Sequence, residues 1–278
     1  MIYQCKRCAR IISDRIANAF VEKHAFYVIS HERSGTHFLI NTLNRNMPIR
    51  VGWGVGYGAG HGWNNIGEWF GPYENPDARY DHIDRYNEKM WVKGEARNAV
   101  IKSHADASLF NSRFRRAPVV YVYRDPRDVM VSWYHYLNDP IFYAYNPQVK
   151  DLRCDQFSVF LRRPLSDFLQ SCYSNLDGFE NVVDRWASHV SGWFKQEGVC
   201  MVSFSELKND AAGVVAKVSD YLGIPANDRR ESVTLQKSRS ILPRKGVEGD
   251  WKNFCSAEDL DFIDHYLARY GLSLPLSI

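Results

Sequence analysis

Residues 26–43 read FYVISHERSGTHFLINTL, and this stretch is the most informative about the fold. It opens with a short, almost continuously apolar run, which is typical of a strand buried on both faces of a parallel sheet. The segment HERSGTH that follows is a polar loop, and FLINTL then resumes with apolar residues at helical spacing. The stretch therefore predicts a strand, a loop and a helix in succession.

The same alternation continues along the chain. Apolar runs predict further strands at residues 99–104, 119–123 and 199–204, and helical spacing predicts helices at residues 11–23, 157–170, 182–195, 205–221 and 258–270. Another helix starts after Arg124, where Asp125 can cap it and Pro126 suits its first turn. We therefore predict an α/β fold of three layers, a central, mostly parallel sheet with helices on both faces. No repeat or linker divides the chain, so we predict a single domain over residues 1–278.

Composition narrows the classes of function. With 45% hydrophobic and 24% charged residues, the chain has the balance of a folded globular protein rather than of a disordered or collagen-like one. A net charge of +3 suits a small anionic ligand better than a nucleic acid, so no nucleic-acid partner is predicted. No apolar run approaches the roughly 20 residues of a membrane helix. Residues 1–20 lack the apolar core of a secretion signal, so we expect a cytoplasmic protein without membrane contact.

The cysteines do not predict a metal site. Cys5 and Cys8 form a lone CxxC pair, and a zinc site needs a second pair at suitable spacing. Structural or incidental thiols are the main interpretation, with a redox or metal role as the alternative. No other cluster of His, Cys and Asp has the spacing of metal ligands, so no metal is predicted.

A region rich in glycine and aromatic residues, at about residues 50–95, differs from the rest. Glycines alternate there with aromatic and imidazole side chains, and so much glycine disfavours regular structure. A loop that faces the substrate and a loop packed on the core are equal interpretations. The candidate substrate contacts in this region are Trp53, Tyr57, His61 and Trp63.

Polar residues follow several predicted strands at the point where each ends. Arg33 lies in the first loop, Lys102 and His104 end the second strand, and Arg124 ends the third. Ligands of an open parallel sheet gather at the carboxyl ends of its strands. We therefore expect these side chains to meet at one edge of the sheet.

Each motif also has a structural interpretation. The RSGTH segment at residues 33–37 can wrap an anion at a helix start, or it can be an ordinary strand-to-helix turn. His104 can be a general base or a hydrogen-bonded structural histidine, and Arg124 can clamp an anion or pair with Asp128. A loop at residues 244–252 combines adjacent cations with glycines, which suits a phosphate or a solvated surface.

Three segments in order resemble the PAPS-dependent sulfotransferases of the soluble, small-molecule type, where PAPS is 3′-phosphoadenosine 5′-phosphosulfate. Residues 27–43 resemble the family's loop for the 5′-phosphosulfate. Residues 119–135, VVYVYRDPRDVMVSWYH, resemble its segment for the 3′-phosphate. RKG at residues 244–246 with GDWK at 249–252 resembles its C-terminal signature. The likeness spans most of residues 24–260 and implies the P-loop-like sulfotransferase fold.

The resemblance implies a role for each matching residue. His104 matches the catalytic base, and Arg33 matches a lysine that contacts the transferring group. Phe38 and Phe204 match aromatic residues beside the adenine. The residues implied to hold the 5′-phosphate are Ser34, Gly35, Thr36 and His37, and those implied to hold the 3′-phosphate are Arg124, Ser132, Arg244, Lys245 and Gly246.

The sequence also departs from the family. Arginine at position 33 cannot easily give up a proton but can clamp spreading negative charge, so we expect Lys102 to carry more of the leaving-group role. The family's usual dimerisation segment before the RKG loop is not recognised, so the resemblance does not extend to the usual dimer.

These observations predict an enzyme that moves a sulfuryl group from PAPS to a hydroxyl or N–H group of a small molecule and releases PAP, without a metal. Trp and Tyr are abundant, so we expect an aromatic or cationic acceptor, with Trp186 and His189 either lining its cleft or packing in the core. A small-molecule phosphotransferase of the P-loop kinase type is the alternative, although GxxxxGK[ST] is absent. A protein that senses a nucleotide without catalysing a reaction is a further alternative.

Overall fold

The computed structural model describes residues 24–47, 49–51, 98–104, 106–107, 118–140, 153–165, 179–227 and 246–276. Within them the chain forms five strands: β1 (His24–Ile29), β2 (Arg50–Val51), β3 (Asn98–Ser103), β4 (Val119–Tyr123) and β5 (Val199–Ser203). The described helices are α1 (Thr36–Asn46), α2 (Pro126–Leu137), α3 (Phe157–Arg162), α4 (Val182–Phe194), α5 (Phe204–Asn209), α6 (Ala211–Leu222) and α7 (Ala257–Arg269), with a 3₁₀ turn at Asp250–Asn253.

The described strands form one parallel sheet in the order β2-β3-β1-β4-β5. Alternate residues of the central strand β1 face opposite layers, because successive side chains of a strand point to opposite sides. One core cluster contains Phe26 and Val28 with residues of α1, α5 and α6. The other contains Tyr27 and Ile29 with residues of α2, α3, α4 and α7. The predicted three-layer α/β architecture is confirmed.

Local signals explain where the helices begin. Asp125 caps α2 by accepting a hydrogen bond from the Arg127 amide, and Pro126 occupies the first turn, both as predicted. Asn181 caps α4 through its side chain. Ser203 and Ser256 cap α5 and α7, each within a reciprocal capping box.

Two predicted helices were too long. The helix predicted over 205–221 is two helices, because Asp210 leaves the helical conformation and its side chain accepts from the Gly213 amide to start α6. The helix predicted over 157–170 ends at Arg162. Arg163 precedes Pro164 and is extended, as steric clash with the proline ring requires.

Several predictions lie outside the described residues. These are the helix at 11–23, the Cys5–Cys8 pair, and the glycine-rich region beyond residue 51 with Trp53, Tyr57, His61 and Trp63. The single domain over 1–278 stays a prediction. No helix among the described residues is long and apolar enough to cross a bilayer. The cytoplasmic location stays a prediction as well.

Candidate active site

The carboxyl ends of four strands meet at one edge of the sheet. Ile29 at the end of β1 pairs with Ser103 on one side and Tyr121 on the other, and Tyr123 at the end of β4 pairs with Ser203. The chain leaving these ends carries the loop at residues 30–35, His104, Arg124 and Phe204. The sheet therefore brings together the strand ends that the sequence singled out.

The loop after β1 has the backbone of an anion cradle. Gly35, just before α1, has a φ of 104°, and a Cβ there would lie 2.5 Å from a ring carbon of Phe204. Only glycine therefore fits against this ring. The Ser34 hydroxyl is fully buried and has no hydrogen-bond partner among the described residues. Such a hydroxyl beside a helix N-terminus fits a phosphate oxygen.

Arg33 links this loop to the segment that follows β4. Its backbone is left-handed, with a φ of 67°, and its side chain contacts α2. There its Nε donates to the Ser132 hydroxyl at 3.2 Å, and its guanidinium lies 4.7 Å from the centre of the Tyr136 ring. The two segments predicted to bind opposite ends of the nucleotide thus touch through Arg33.

His104 is buried at the end of β3 and is held by the first loop. Its Nδ1 lies 2.7 Å from the carbonyl oxygen of Ser30. Because a carbonyl only accepts, Nδ1 carries the hydrogen and the neutral ring keeps its lone pair on Nε2. The Ser30 hydroxyl in turn lies 2.5 Å from that of Thr36, at the start of α1. The arrangement gives His104 the tautomer that a general base needs.

Arg124 places a buried cation at the same edge. One guanidinium nitrogen donates to the Val247 carbonyl at 2.8 Å, the group lies 4.4 Å above the Phe204 ring, and Asp128 is 3.9 Å away. Burial lowers the pKa of Arg124, and Asp128 and Glu248 oppose this effect, so the guanidinium stays charged. The buried Nε has no partner among the described residues, which leaves a donor for an anion.

Asp128 connects α2 to the loop at residues 246–252, called the late loop below. Its carboxylate accepts hydrogen bonds from the backbone amides of Gly249, at 2.9 Å, and Trp251, at 3.4 Å. Burial raises the pKa of Asp128, and the two amides and Arg124 partly counter the rise. Gly246, whose φ is 59°, directly precedes Val247, whose carbonyl accepts a hydrogen bond from Arg124. Arg244 and Lys245 lie outside the described residues.

The two aromatic residues assigned to the adenine lie beside the loop. Phe38 and Phe204 are both buried, and their ring centres are 6.1 Å apart in an edge-on arrangement. Thr36 is buried at the start of α1 and His37, the next residue, is half-buried. Lys102 lies in β3 two residues before His104.

The sequence analysis missed a buried network beneath His104. Glu32 forms a two-pronged ion pair with Arg185 of α4, with nitrogen–oxygen distances of 2.7 and 2.9 Å. Arg185 also lies 2.7 Å from Nε2 of His31. The available signal was a carboxylate inside a loop predicted to bind an anion, because a buried carboxylate there needs a cation nearby.

His189 completes this network from α4. Its Nε2 lies 3.3 Å from the His104 carbonyl oxygen and its Nδ1 3.0 Å from the Tyr121 hydroxyl. His189 and Trp186 are both buried, and Trp186 belongs to the hydrophobic core. Their contact with an acceptor stays a prediction. No group of three or more His, Cys, Asp or Glu residues suited to a metal ion occurs among the described residues.

Comparison with known proteins assigns the chain to a family. The sequence model of the family described as "Sulfotransferase domain" matches residues 23–270, so the chain belongs to the sulfotransferase family. Sulfotransferase 2B1 of Mus musculus is 29% identical over 195 residues, which cover 59% of this chain and 52% of that protein. The Homo sapiens protein of the same name is 28% identical over 206 residues, covering 63% and 51% of the two chains. The match thus spans about half the length of these relatives.

Solved structures share the fold. Mouse sulfotransferase SULT7A1 complexed with PAP has a TM-score of 0.55 and 19% identity, and the match covers 93% of this chain and 88% of that one. Retinol dehydratase in complex with retinol and PAP has a TM-score of 0.54 and 18% identity, with coverages of 97% and 88%. These matches agree with the parallel sheet and its flanking helices.

Proposed function

We propose that this chain is a PAPS-dependent sulfotransferase that acts on a small molecule. The observation that carries the proposal is the bond from Arg33 to Ser132, which joins the loop at residues 30–35 to the segment after β4. His104 hydrogen-bonds to Ser30 of the same loop. Two joined anion sites suit a nucleotide that carries phosphate on both the 3′ and the 5′ position of its ribose. A base beside these sites could remove the proton of the acceptor molecule.

The residues present fit the phosphates of PAPS. The buried Ser34 hydroxyl and the start of α1 would hold the 5′-phosphate, with Gly35, Thr36 and His37 around them. Arg124, through its unpartnered Nε, would hold the 3′-phosphate with Ser132 and Gly246, joined by Arg244 and Lys245. Phe38 and Phe204 would lie beside the adenine. When bound, PAPS supplies the sulfuryl group, and PAP is the product.

His104 would accept the acceptor's proton at Nε2. The acceptor oxygen or nitrogen then forms a bond to sulfur, while the bond from sulfur to the bridging phosphate oxygen breaks. Charge grows on that bridging oxygen, and the guanidinium of Arg33 would offset it. We propose Lys102 as a second cation for the same charge. We propose an aromatic or cationic acceptor that carries a hydroxyl or N–H group.

Calorimetry with two nucleotides tests the donor site. We expect PAP to bind more tightly than adenosine 5′-phosphate, which lacks the 3′-phosphate. Arg124→Ala should weaken PAP binding about tenfold to a hundredfold, because a charge-assisted bond to the 3′-phosphate is lost. The same variant should leave binding of adenosine 5′-phosphate almost unchanged.

The same experiment can overturn the proposal. Wild-type protein that binds Mg²⁺-ATP and ignores PAP would point instead to a phosphotransferase. If Arg124→Ala weakens the binding of PAP and of adenosine 5′-phosphate equally, Arg124 does not bind the 3′-phosphate.

A further inference from the structure

Glu32 is an unexpected residue for a loop that binds anions. Its side chain is 11% exposed, so its carboxylate is largely removed from water next to a site for phosphate. The two-pronged bond to Arg185 neutralises it, and Arg185 is itself 3% exposed. A buried ion pair contributes little net stability compared with apolar residues of the same shape. The pair therefore calls for an explanation other than stability.

The pair is joined to His104 by hydrogen bonds through the loop. His31 Nδ1 lies 3.0 Å from the Glu32 carbonyl oxygen and must donate to it, so Nε2 is the acceptor for Arg185. Ser30, the neighbour of His31, accepts from His104 Nδ1. Arg185 and Glu32 thus fix the short segment on which the His104 ring is oriented.

A second connection runs through α4. His189 lies one helical turn after Arg185 and packs edge-on against His31, with ring centres 5.6 Å apart. Its Nε2 donates to the His104 carbonyl, so Nδ1 accepts from the Tyr121 hydroxyl. The helix that carries Arg185 therefore also holds the backbone of His104.

The charges beneath His104 can be assigned. Burial raises the pKa of Glu32, but the charge of Arg185 and its hydrogen bonds hold that pKa well below its usual value. Burial lowers the pKa of His31 and of His189, which stay neutral, and burial raises that of Tyr121. Asp106, whose charge acts on Tyr121 and His189, adds an acidic group from the chain after His104. Among the described groups around His104, Glu32 carries a negative charge and Arg185 a positive one, and the two charges neutralise each other.

We propose that Glu32, clamped by Arg185, is a positioning residue that orients His104 and balances the charge beneath its ring. The carboxylate offsets the positive charge of Arg185, which would otherwise destabilise the imidazolium that forms when His104 accepts a proton. This inference rests on the proposed function, since it gives Glu32 a purpose only if His104 is the base.

Histidine titration by NMR tests the inference without an acceptor. Protein with ¹³C-labelled histidine is titrated from pH 8 to pH 5, and the His104 signal is assigned by its loss in His104→Gln. In Glu32→Gln the Arg185 charge is left unbalanced, so the His104 midpoint should fall by about half a pH unit or more. In the double variant Glu32→Gln/Arg185→Gln both charges are gone, and the midpoint should return toward the wild-type value.

The controls separate charge from damage to the structure. Glu180→Gln removes the acid of an exposed ion pair with Arg269 and should leave the His104 midpoint unchanged. If Glu32→Gln does not fold, Glu32→Asp keeps both charges but withdraws the carboxylate, and the midpoint should fall by a smaller amount. An unchanged midpoint in the folded Glu32 variant, or a double variant shifted as far as the single one, would overturn the proposal.

The two proposals fail in different ways. Absence of PAP binding by the wild-type protein would remove the sulfotransferase function, whatever the titration shows. If the protein binds PAP but the titration midpoint of His104 does not change in the Glu32 variants, only the role of Glu32 is refuted.

Discussion

At the scale of single residues, the candidate site depends on hydrogen-bond direction. The Ser30 carbonyl can only accept, so it sets the tautomer of His104 and places the lone pair of the neutral ring on Nε2. Arg33, in the same loop, has a left-handed backbone, and its side chain donates a hydrogen bond to Ser132 of α2. One loop therefore orients both the proposed base and the proposed cation.

Replacing His104 tests the base at this scale. We expect His104→Ala to lower the rate of sulfuryl transfer by about 10² or more, because proton transfer in the transition state loses its acceptor. PAP affinity measured by calorimetry should stay within about threefold of wild type, since His104 is not among the residues assigned to the phosphates. A variant with near-normal turnover would show that His104 is not the base.

At the scale of elements, α2 organises one half of the site. Its start is fixed by Asp125, its first turn holds the late loop through Asp128, and its second turn holds Arg33 through Ser132. The helix N-terminus also favours negative charge nearby. A single element thus connects three chain segments that are distant in sequence.

A substitution at Asp128 tests this connection. Asparagine keeps one acceptor oxygen, so Asp128→Asn should lose one of the two bonds to the amides of Gly249 and Trp251. We expect PAP affinity to fall about tenfold as the late loop loosens, which corresponds to the net worth of a hydrogen bond to a charged group. Calorimetry provides the measurement, and Asp261→Asn, at an exposed position of α7, is the matched control. Equal PAP affinity in both variants would contradict the role of Asp128.

At the scale of the whole molecule, buried neutral histidines link folding to pH. His31 and His189 are buried, and burial holds the pKa of each below the ordinary value of 6.5. The unfolded chain therefore binds more protons than the folded one once the pH falls below that value. The folded state is favoured above about pH 6.5 and loses stability as the pH falls further.

Thermal unfolding at several pH values tests this linkage. We expect the melting temperature to fall between pH 7 and pH 5, above the range in which Glu32 begins to contribute to acid unfolding. His189→Gln should make this fall smaller, because one of the two linked protons is removed. His265→Gln, at an exposed position of α7, should keep the wild-type slope. A slope shared by all three proteins would refute the linkage.

Much of the fold could be predicted from local pattern. The apolar runs predicted β1, β3, β4 and β5, whereas the two-residue strand β2 was missed because it is too short to leave a pattern. The Asp125–Pro126 pair predicted the start of α2, because a helix cap depends on nearby residues. The split between α5 and α6 was missed, since an interior aspartate reads as an ordinary helix residue until its side chain is seen to cap the next helix. The convergence of strand ends followed from the parallel sheet itself.

The sequence was enough to predict the layered α/β fold, the glycine at position 35 and the order of the three segments proposed to bind anions, because each depends on adjacent residues. Only the tertiary structure shows that Glu32 pairs with Arg185, that His104 hydrogen-bonds to the Ser30 carbonyl, and that His189 hydrogen-bonds to the His104 carbonyl. These partners lie far apart in the chain, and their contacts depend on how β1 pairs with β3 and on how α4 packs on the sheet. No local pattern encodes that packing.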